Sequence, residues 1–188
     1  MKKDQLYILS MITVVAFPFF AYLINYFFSD RSFWEQFDFS LSLFYQLIIG
    51  VLYGLIAGWI CLALIRSSWM AATNNKYASR LRDVSLNYLD IVLISICAGV
   101  GEEIMFRGVL QEFFGVIFTS ILFVAIHGYL TFKNWALSIY GFVMTIIIMG
   151  LGYIYEFWGV FIPIVAHTVI DLVLLLEIIK NRENNAAA

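Results

Sequence analysis

The chain has 188 residues, of which 63% are hydrophobic and 13% charged, and its formal net charge is −2. A soluble domain has about 45–50% apolar and about 25% charged residues, so this composition excludes a soluble globular protein. It indicates a multi-pass membrane protein, whose surroundings are the lipid bilayer and for which we expect no nucleic-acid partner.

The apolar runs along the chain predict an all-α bundle of about six transmembrane helices, because a span needs about 20 apolar residues. The first run is too long for the apolar part of a signal peptide and is predicted to be a span. We expect a single membrane domain over residues 1–188, with two spans and a cytoplasmic loop in 1–87 and a four-helix core in 88–179. The predicted spans are Leu6–Phe28, Leu41–Ile65, Tyr88–Phe114, Val116–Leu130, Trp135–Tyr155 and Val160–Ile179.

The basic residues predict the orientation of these spans. With the N-terminus inside, only Arg31 falls on the outer side and Arg107 lies within a span. This asymmetry predicts that both termini are cytoplasmic, in what we take to be a bacterial cytoplasmic membrane, and that turns near Gly115 and Gly159 face outward. The remaining basic residues fall on the inner side: Lys2, Lys3, Arg66, Lys76, Arg80, Arg82, Lys133, Lys180 and Arg182.

Small residues recur at four-residue intervals in the second span, at Gly50, Gly54 and Gly58. This spacing lets helix backbones approach closely. Packing within the bundle is the preferred interpretation, and a dimer face, with an oligomer as its consequence, is the alternative. Cys61 and Cys97 lie in apolar runs and are interpreted as packing residues.

The strongest functional signal is the run from Gly101 to Gly108, which places two carboxylates and a guanidinium within a span. A charge at bilayer depth costs at least ~2.5–3.5 kcal/mol, so three of them require an explanation. Glu103 and Arg107 are four residues apart and can pair on one helix face. Glu102 lies about 100° further round the helix, which leaves it available as a general base or acid.

Counting residues from the predicted turns places further ionisable side chains at the same depth. Glu102 precedes Gly115 by thirteen residues and His127 follows it by twelve. Both therefore lie ~18–20 Å from the turn at 1.5 Å per residue. His167 and Asp171 follow the second turn by eight and twelve residues and share a helix face. We expect these four side chains to surround one intramembrane active-site cavity, in which Asp171 fixes the tautomer or raises the basicity of His167.

Three short motifs occur in order along the chain: Glu102-Glu103-x-x-x-Arg107, Phe123-x-x-x-His127 and His167-x-x-x-Asp171. Together they resemble the CPBP family, the CAAX-protease and bacteriocin-processing type of intramembrane endopeptidases, also called the Abi family. The resemblance covers about residues 88–176, whereas the first two spans match only as generic spans.

The resemblance implies a role for each of these residues. Glu102 and His127 look like the pair that activates the attacking water, and His167, with the residue at position 171, looks like the stabiliser of the oxyanion. The family often has Asn where this chain has Asp171, and an ionised Asp cannot donate a hydrogen bond. Asp171 is therefore expected to orient His167 or to be protonated. The resemblance further implies supporting roles for Glu103 and Arg107 and a place in the cavity wall for Phe123.

The resemblance predicts a substrate that is a membrane-associated or lipid-modified protein or peptide, and no metal cofactor. The alternative is a zinc site formed by Glu102, His127 and His167, since two imidazoles and a carboxylate form the ligand set of many hydrolases. Two other functions remain open from the sequence: a proton-coupled transporter, since buried carboxylates and imidazoles also form proton relays, and a non-catalytic bacteriocin-immunity or scaffold protein.

Overall fold

The structure is a computed structural model that describes residues 3–37, 41–70, 73, 84 and 86–187, with side chains described as far as Lys180. Most of the cytoplasmic loop predicted after the second span lies outside the described residues, as do Lys2 and the side chain of Arg182. The helices, in chain order, are α1 (Lys3–Phe28), α2 (Leu43–Arg66), α3 (Tyr88–Met105), α4 (Gln111–Ile126), α5 (Trp135–Trp158) and α6 (Phe161–Ala187).

Five continuous helical stretches of the described chain are long and apolar enough to cross a membrane, which confirms the predicted helical membrane bundle. The count is five rather than six because α3, a π-helical turn and α4 run together from Tyr88 to Ile126. The stretches are Lys3–Phe28, Leu43–Arg66, Tyr88–Ile126, Trp135–Trp158 and Phe161–Lys180.

Gly115 divides α4 and reverses the chain. Its φ of 72° and ψ of 167° are not helical, and this left-handed φ favours glycine. Contacts pair residues on either side of the glycine: Phe106 lies against Phe123 at 5.0 Å between ring centroids, and Arg107 donates to Ser120. The predicted turn is therefore present, but the return segment 116–126 is only about 16 Å long and reaches no further than the middle of a bilayer.

The start of α3 is set by its own first turn. The Asn87 side chain accepts a hydrogen bond from the Asp90 backbone N–H, and the Asp90 carboxylate accepts one from the Asn87 N–H, which together form a capping box. Asp90 also pairs with Lys3 at 2.6 Å, which ties the first residues of α1 to those of α3. This contact holds α1 and α3 side by side.

Glycines allow the helices around α3 and α6 to approach closely. A Cβ at Gly54 would lie 2.6 Å from the Ala166 carbonyl oxygen, and Gly50 and Gly58 face Val165 and Val173 in the same helix, α6. The glycine face of α2 is thus occupied within the bundle, as the preferred interpretation predicted. On the other side of the bundle, a Cβ at Gly101 would lie 2.2 Å from the Thr13 carbonyl oxygen of α1.

Two sets of contacts define the ends of the bundle. At the basic end, Arg66 donates two hydrogen bonds to Glu177 at 2.7 and 2.9 Å, and Trp69 stacks on Trp135. At the glycine-turn end, which holds Gly115 and Gly159, Ser29 donates to Glu112 at 2.7 Å, and the Val160 N–H donates to the Gln36 carbonyl.

Candidate active site

Glu102 and Glu103, the first of the predicted site residues along the chain, lie about halfway between the two ends of the bundle. Glu102 is twelve residues from Asp90, at the basic end, and ten from Glu112, at the other. At 1.5 Å per residue these intervals are ~18 and ~15 Å. The carboxylate pair of α3 therefore lies at the depth where a charge is most costly.

A π-helical turn, Phe106–Leu110, follows these carboxylates directly. The Gln111 N–H bonds to the Phe106 carbonyl, five residues back, instead of following the four-residue step of an α-helix. Such turns are rare and occur mostly at functional sites. Here the turn carries Arg107, and nothing in its sequence distinguishes it from an ordinary helical turn.

Glu102 and His127 face each other across the hairpin. The Glu102 Oε2 atom lies 3.5 Å from His127 Nε2, and the two side chains are 15% and 32% exposed. The His127 Nδ1 atom lies 2.6 Å from the Phe123 carbonyl oxygen. Because a carbonyl only accepts, Nδ1 carries a proton and directs Nε2 at the carboxylate.

Glu103 contacts both other members of a second, buried group, Arg107 and His167. Its Oε2 atom accepts from Arg107 Nε at 3.2 Å, and its Oε1 atom lies 2.8 Å from His167 Nδ1. Glu103 and Arg107 have no exposed surface, and the His167 side chain is 8% exposed. This carboxylate thus joins the first motif to the last, which no spacing in the sequence indicated.

Asp171 lies near the other nitrogen of the same imidazole, and its predicted role stays a prediction. Its Oδ2 atom lies 3.7 Å from His167 Nε2, beyond hydrogen-bond range. Glu103, on the facing helix, reaches Nδ1 and contacts the imidazole from the opposite side. Asp171, whose side chain is 28% exposed, lies on the Nε2 side of the ring, and Glu103 on the Nδ1 side.

Buried polar groups contact one further nitrogen of the Arg107 guanidinium, whereas Nη2 has no hydrogen-bond partner among the described residues. Arg107 Nη1 lies 3.4 Å from both Gln111 Oε1 and Ser120 Oγ. Gln111 in turn donates to the Gly152 carbonyl of α5 at 2.9 Å. Buried charges are tolerated when they are paired and hydrogen-bonded, and these contacts meet part of that requirement.

Phe123 lies between the two histidines. Its ring centroid is 4.5 Å from that of His127 and 5.7 Å from that of His167, and Arg107 lies 5.6 Å from the same ring. Only 4% of Phe123 is exposed. The ring fixes the spacing of the imidazoles and separates them.

The alternative zinc ligands, Glu102, His127 and His167, do not form a metal-ligand group among the described residues. Within the part of the chain that the structure describes, no group of three or more His, Cys, Asp or Glu side chains is placed to hold a metal. Zinc needs its nitrogen ligands at about 2.0–2.1 Å. His127 and His167 both contact the ring of Phe123, which lies between them.

The predicted site residues fall within a segment of the chain that matches a known protein family. Residues 84–173 match the family described as type II CAAX prenyl endopeptidase Rce1-like. An uncharacterized protein of Bacillus subtilis, YpbD, is 36% identical over 89 residues, which are 47% of this chain and 45% of that protein. The match thus spans about half the length of this relative. No solved structure matches the chain significantly.

Proposed function

We propose that this protein is an intramembrane endopeptidase, starting from the CAAX-protease (CPBP) family to which its residues 84–173 belong. The observation that carries the proposal is the pair formed by Glu102 and His127 at mid-depth, beside a second imidazole that a buried carboxylate holds. Amide hydrolysis needs a base for water and a donor for the oxyanion, and these groups supply both.

Glu102 and His127 are suited to hold the attacking water. With Nδ1 protonated, Nε2 of the neutral imidazole is an acceptor, and so is an ionised carboxylate. Two acceptors 3.5 Å apart have no hydrogen bond to each other, and one water molecule beside the pair can donate a proton to each. Glu102 then removes a proton as the water oxygen attacks.

His167 is suited to stabilise the charge that forms on the scissile carbonyl. Its Nδ1–H is engaged by Glu103, so the protonated ring presents Nε2–H as its free donor. The Arg107 guanidinium keeps Glu103 ionised, and Asp171 at 3.7 Å favours the charged ring without hydrogen-bonding to Nε2. A donor of this kind, positioned in advance, typically contributes 10²–10³ in kcat.

The steps balance without a further reactant. Water gives one proton to Glu102, and its oxygen bonds to the carbonyl carbon. The tetrahedral intermediate breaks at the C–N bond, and the proton on Glu102 passes to the leaving amine. The products are an amine and a carboxylic acid, which ionises.

We propose that the reaction needs no metal, because the geometry of the two imidazoles does not suit one. Treating the purified protein with a strong zinc chelator such as 1,10-phenanthroline should leave the rate of peptide cleavage unchanged. The non-chelating 1,7-phenanthroline is the matched control. Loss of activity with the first reagent only, restored by added zinc, would refute the metal-free mechanism.

We propose that water and substrate enter from the basic end of the bundle. The helix of the return segment stops at His127, and the chain then runs non-helically to Asn134, the residue before α5. Non-helical backbone at membrane depth is tolerated only where it is buried in protein or lines a water-filled cavity. No helical turn of α4 lies between His127 and the basic end, and the basic residues make this the predicted cytoplasmic side.

Single cysteines test this sidedness. In a background with Cys61 and Cys97 replaced by Ala, both of which are buried, we expect Lys133→Cys to react with a membrane-impermeant maleimide only in inverted vesicles. Asp30→Cys, at the glycine-turn end, should react only in right-side-out cells. The reverse pattern would place the opening on the outer side.

The test of the proposed function is comparative analysis of membrane peptides. Cells that express the natural protein should contain product peptides that are absent when Glu102→Gln replaces it. Identical peptide profiles would overturn the proposal. Transport into liposomes that depends on the same residues would favour the carrier, and bacteriocin protection that survives loss of His127 and His167 would favour the non-catalytic alternative.

A further inference from the structure

A sharp helix ending places one more aromatic side chain beside His127. Gly128 has a φ of +78°, its N–H donates to the Ala125 carbonyl at 2.9 Å, and the Tyr129 N–H donates to the Val124 carbonyl at 3.3 Å. These two bonds and the left-handed glycine form a Schellman motif. The motif ends α4 at His127 and turns Tyr129 back over the last helical turn.

The Tyr129 ring stacks on the imidazole of His127. The two rings are nearly parallel, at 13°, with centroids 6.1 Å apart. The imidazole therefore contacts Tyr129, the Phe123 ring and, through Nδ1, the Phe123 carbonyl. Phe123 and the carbonyl both belong to α4, so Tyr129 supplies an aromatic contact from outside the helix.

Tyr129 is itself anchored to α5. Its ring meets that of Tyr140 edge to face, with centroids 5.2 Å apart, and Tyr140 is only 4% exposed. A Cβ at Gly141 would lie 2.5 Å from the Tyr129 carbonyl oxygen, so the glycine allows this close approach. Tyr129 therefore connects His127, a predicted site residue, to α5.

We propose that Tyr129 is a positioning residue. Its ring stacks on the imidazole of His127 and holds it toward Glu102, and its contacts with α5 keep the ring itself in place. The inference rests on the proposed function and deepens it. Without this ring, His127 keeps its bond to the Phe123 carbonyl only part of the time, because Glu102 at 3.5 Å is then the one contact from beyond α4 that has been described for its imidazole.

Histidine NMR tests the inference without relying on catalysis. The chain has two histidines, so ¹⁵N-histidine labelling gives two sets of ring signals, assigned with His127→Gln and His167→Gln. We expect His127 to show a predominantly Nδ1-protonated tautomer in the natural protein and in Tyr129→Phe. In Tyr129→Leu its signals should report a mixture of tautomers, whereas those of His167 stay unchanged.

Kinetics provide the second readout. Tyr129→Leu should lower kcat by ~10–100-fold with KM unchanged, because a catalytic group displaced by about 1 Å costs up to 10²-fold. Tyr129→Phe should retain most of the activity. Tyr153→Leu, a change on the exposed face of α5, is the matched control and should cleave normally.

Two results would overturn the inference. One is a His127 signal in Tyr129→Leu that matches the natural protein. The other is a Tyr129→Phe variant as impaired as Tyr129→Leu, which would assign the effect to the hydroxyl instead of the stacked ring. If Glu102→Gln cleaves normally, the proposed function fails, but the NMR comparison still decides whether Tyr129 positions His127.

Discussion

The Glu102→Gln variant will lose peptide cleavage by ~10³-fold or more in kcat, while its fold and stability stay close to those of the natural protein. General base catalysis contributes typically 10²–10⁴-fold, and an amide cannot take the proton of water. Glutamine has the volume of glutamate, and Glu102 Oε2 accepts no hydrogen bond from any described residue. The substitution therefore removes the base without removing a hydrogen bond that Oε2 accepts from a described residue.

The matched control is Glu112→Gln, on the same stretch of chain but at the glycine-turn end. Glu112 accepts from the Ser29 hydroxyl, and the glutamine oxygen can accept the same bond. The measurement is the initial rate of cleavage of a membrane peptide in detergent or liposomes, together with the thermal unfolding of each variant. A Glu102→Gln variant that cleaves at more than about a tenth of the natural rate would exclude Glu102 as the base.

The Arg107→Met variant should be destabilised by ~3–5 kcal/mol, because it leaves the buried carboxylate of Glu103 without its cation. Neither side chain of this pair has any exposed surface. Methionine replaces the stem of the arginine but supplies no donor to Glu103, Gln111 or Ser120. Chemical unfolding in detergent, followed by tryptophan fluorescence, measures the loss.

A double variant separates stability from catalysis. Glu103→Gln combined with Arg107→Met removes both charges, and it should recover most of the lost stability, because no isolated buried ion remains. It should still be inactive, because a neutral amide at position 103 no longer favours the protonated imidazole of His167. Equal stability of the single and double variants would contradict this account of the ion pair.

Arg66→Met is the control for the loss of an arginine as such. Arg66 pairs with Glu177 at the basic end, and its side chain is 49% exposed. Exposed pairs contribute little, because water and salt screen them. Its unfolding curve should lie close to that of the natural protein, in contrast to that of Arg107→Met.

Several features followed from local sequence properties. Hydropathy identified the membrane helices, because a bilayer admits only long apolar segments with internally bonded backbones. The regular rise of a helix placed Glu102 and His127 at one depth once Gly115 was taken as the turn. Spacing of four residues predicted the pair of Glu103 and Arg107. The same spacing of the glycines in α2 predicted a helix face that packs against another helix.

Other features depended on contacts between distant segments. The return segment was predicted as a span from Val116 to Leu130, but the Schellman motif at Gly128 ends its helix at mid-depth. Asp171, four residues from His167, was expected to orient that imidazole, to raise its basicity or to be protonated. The contact of Glu103 with His167 Nδ1 was not expected, because it depends on the packing of α3 beside α6, which no local pattern describes.

The sequence by itself determined that this is a helical membrane protein, which residues carry its intramembrane charges, and at what depth they lie, because hydrophobicity and helical rise are local properties. Only the tertiary structure decided which carboxylate meets which imidazole, how Phe123 separates the two rings and how Tyr129 comes to stack on His127. Those pairings depend on how the helices are rotated and packed against one another. That packing is determined by contacts between side chains that are distant in sequence.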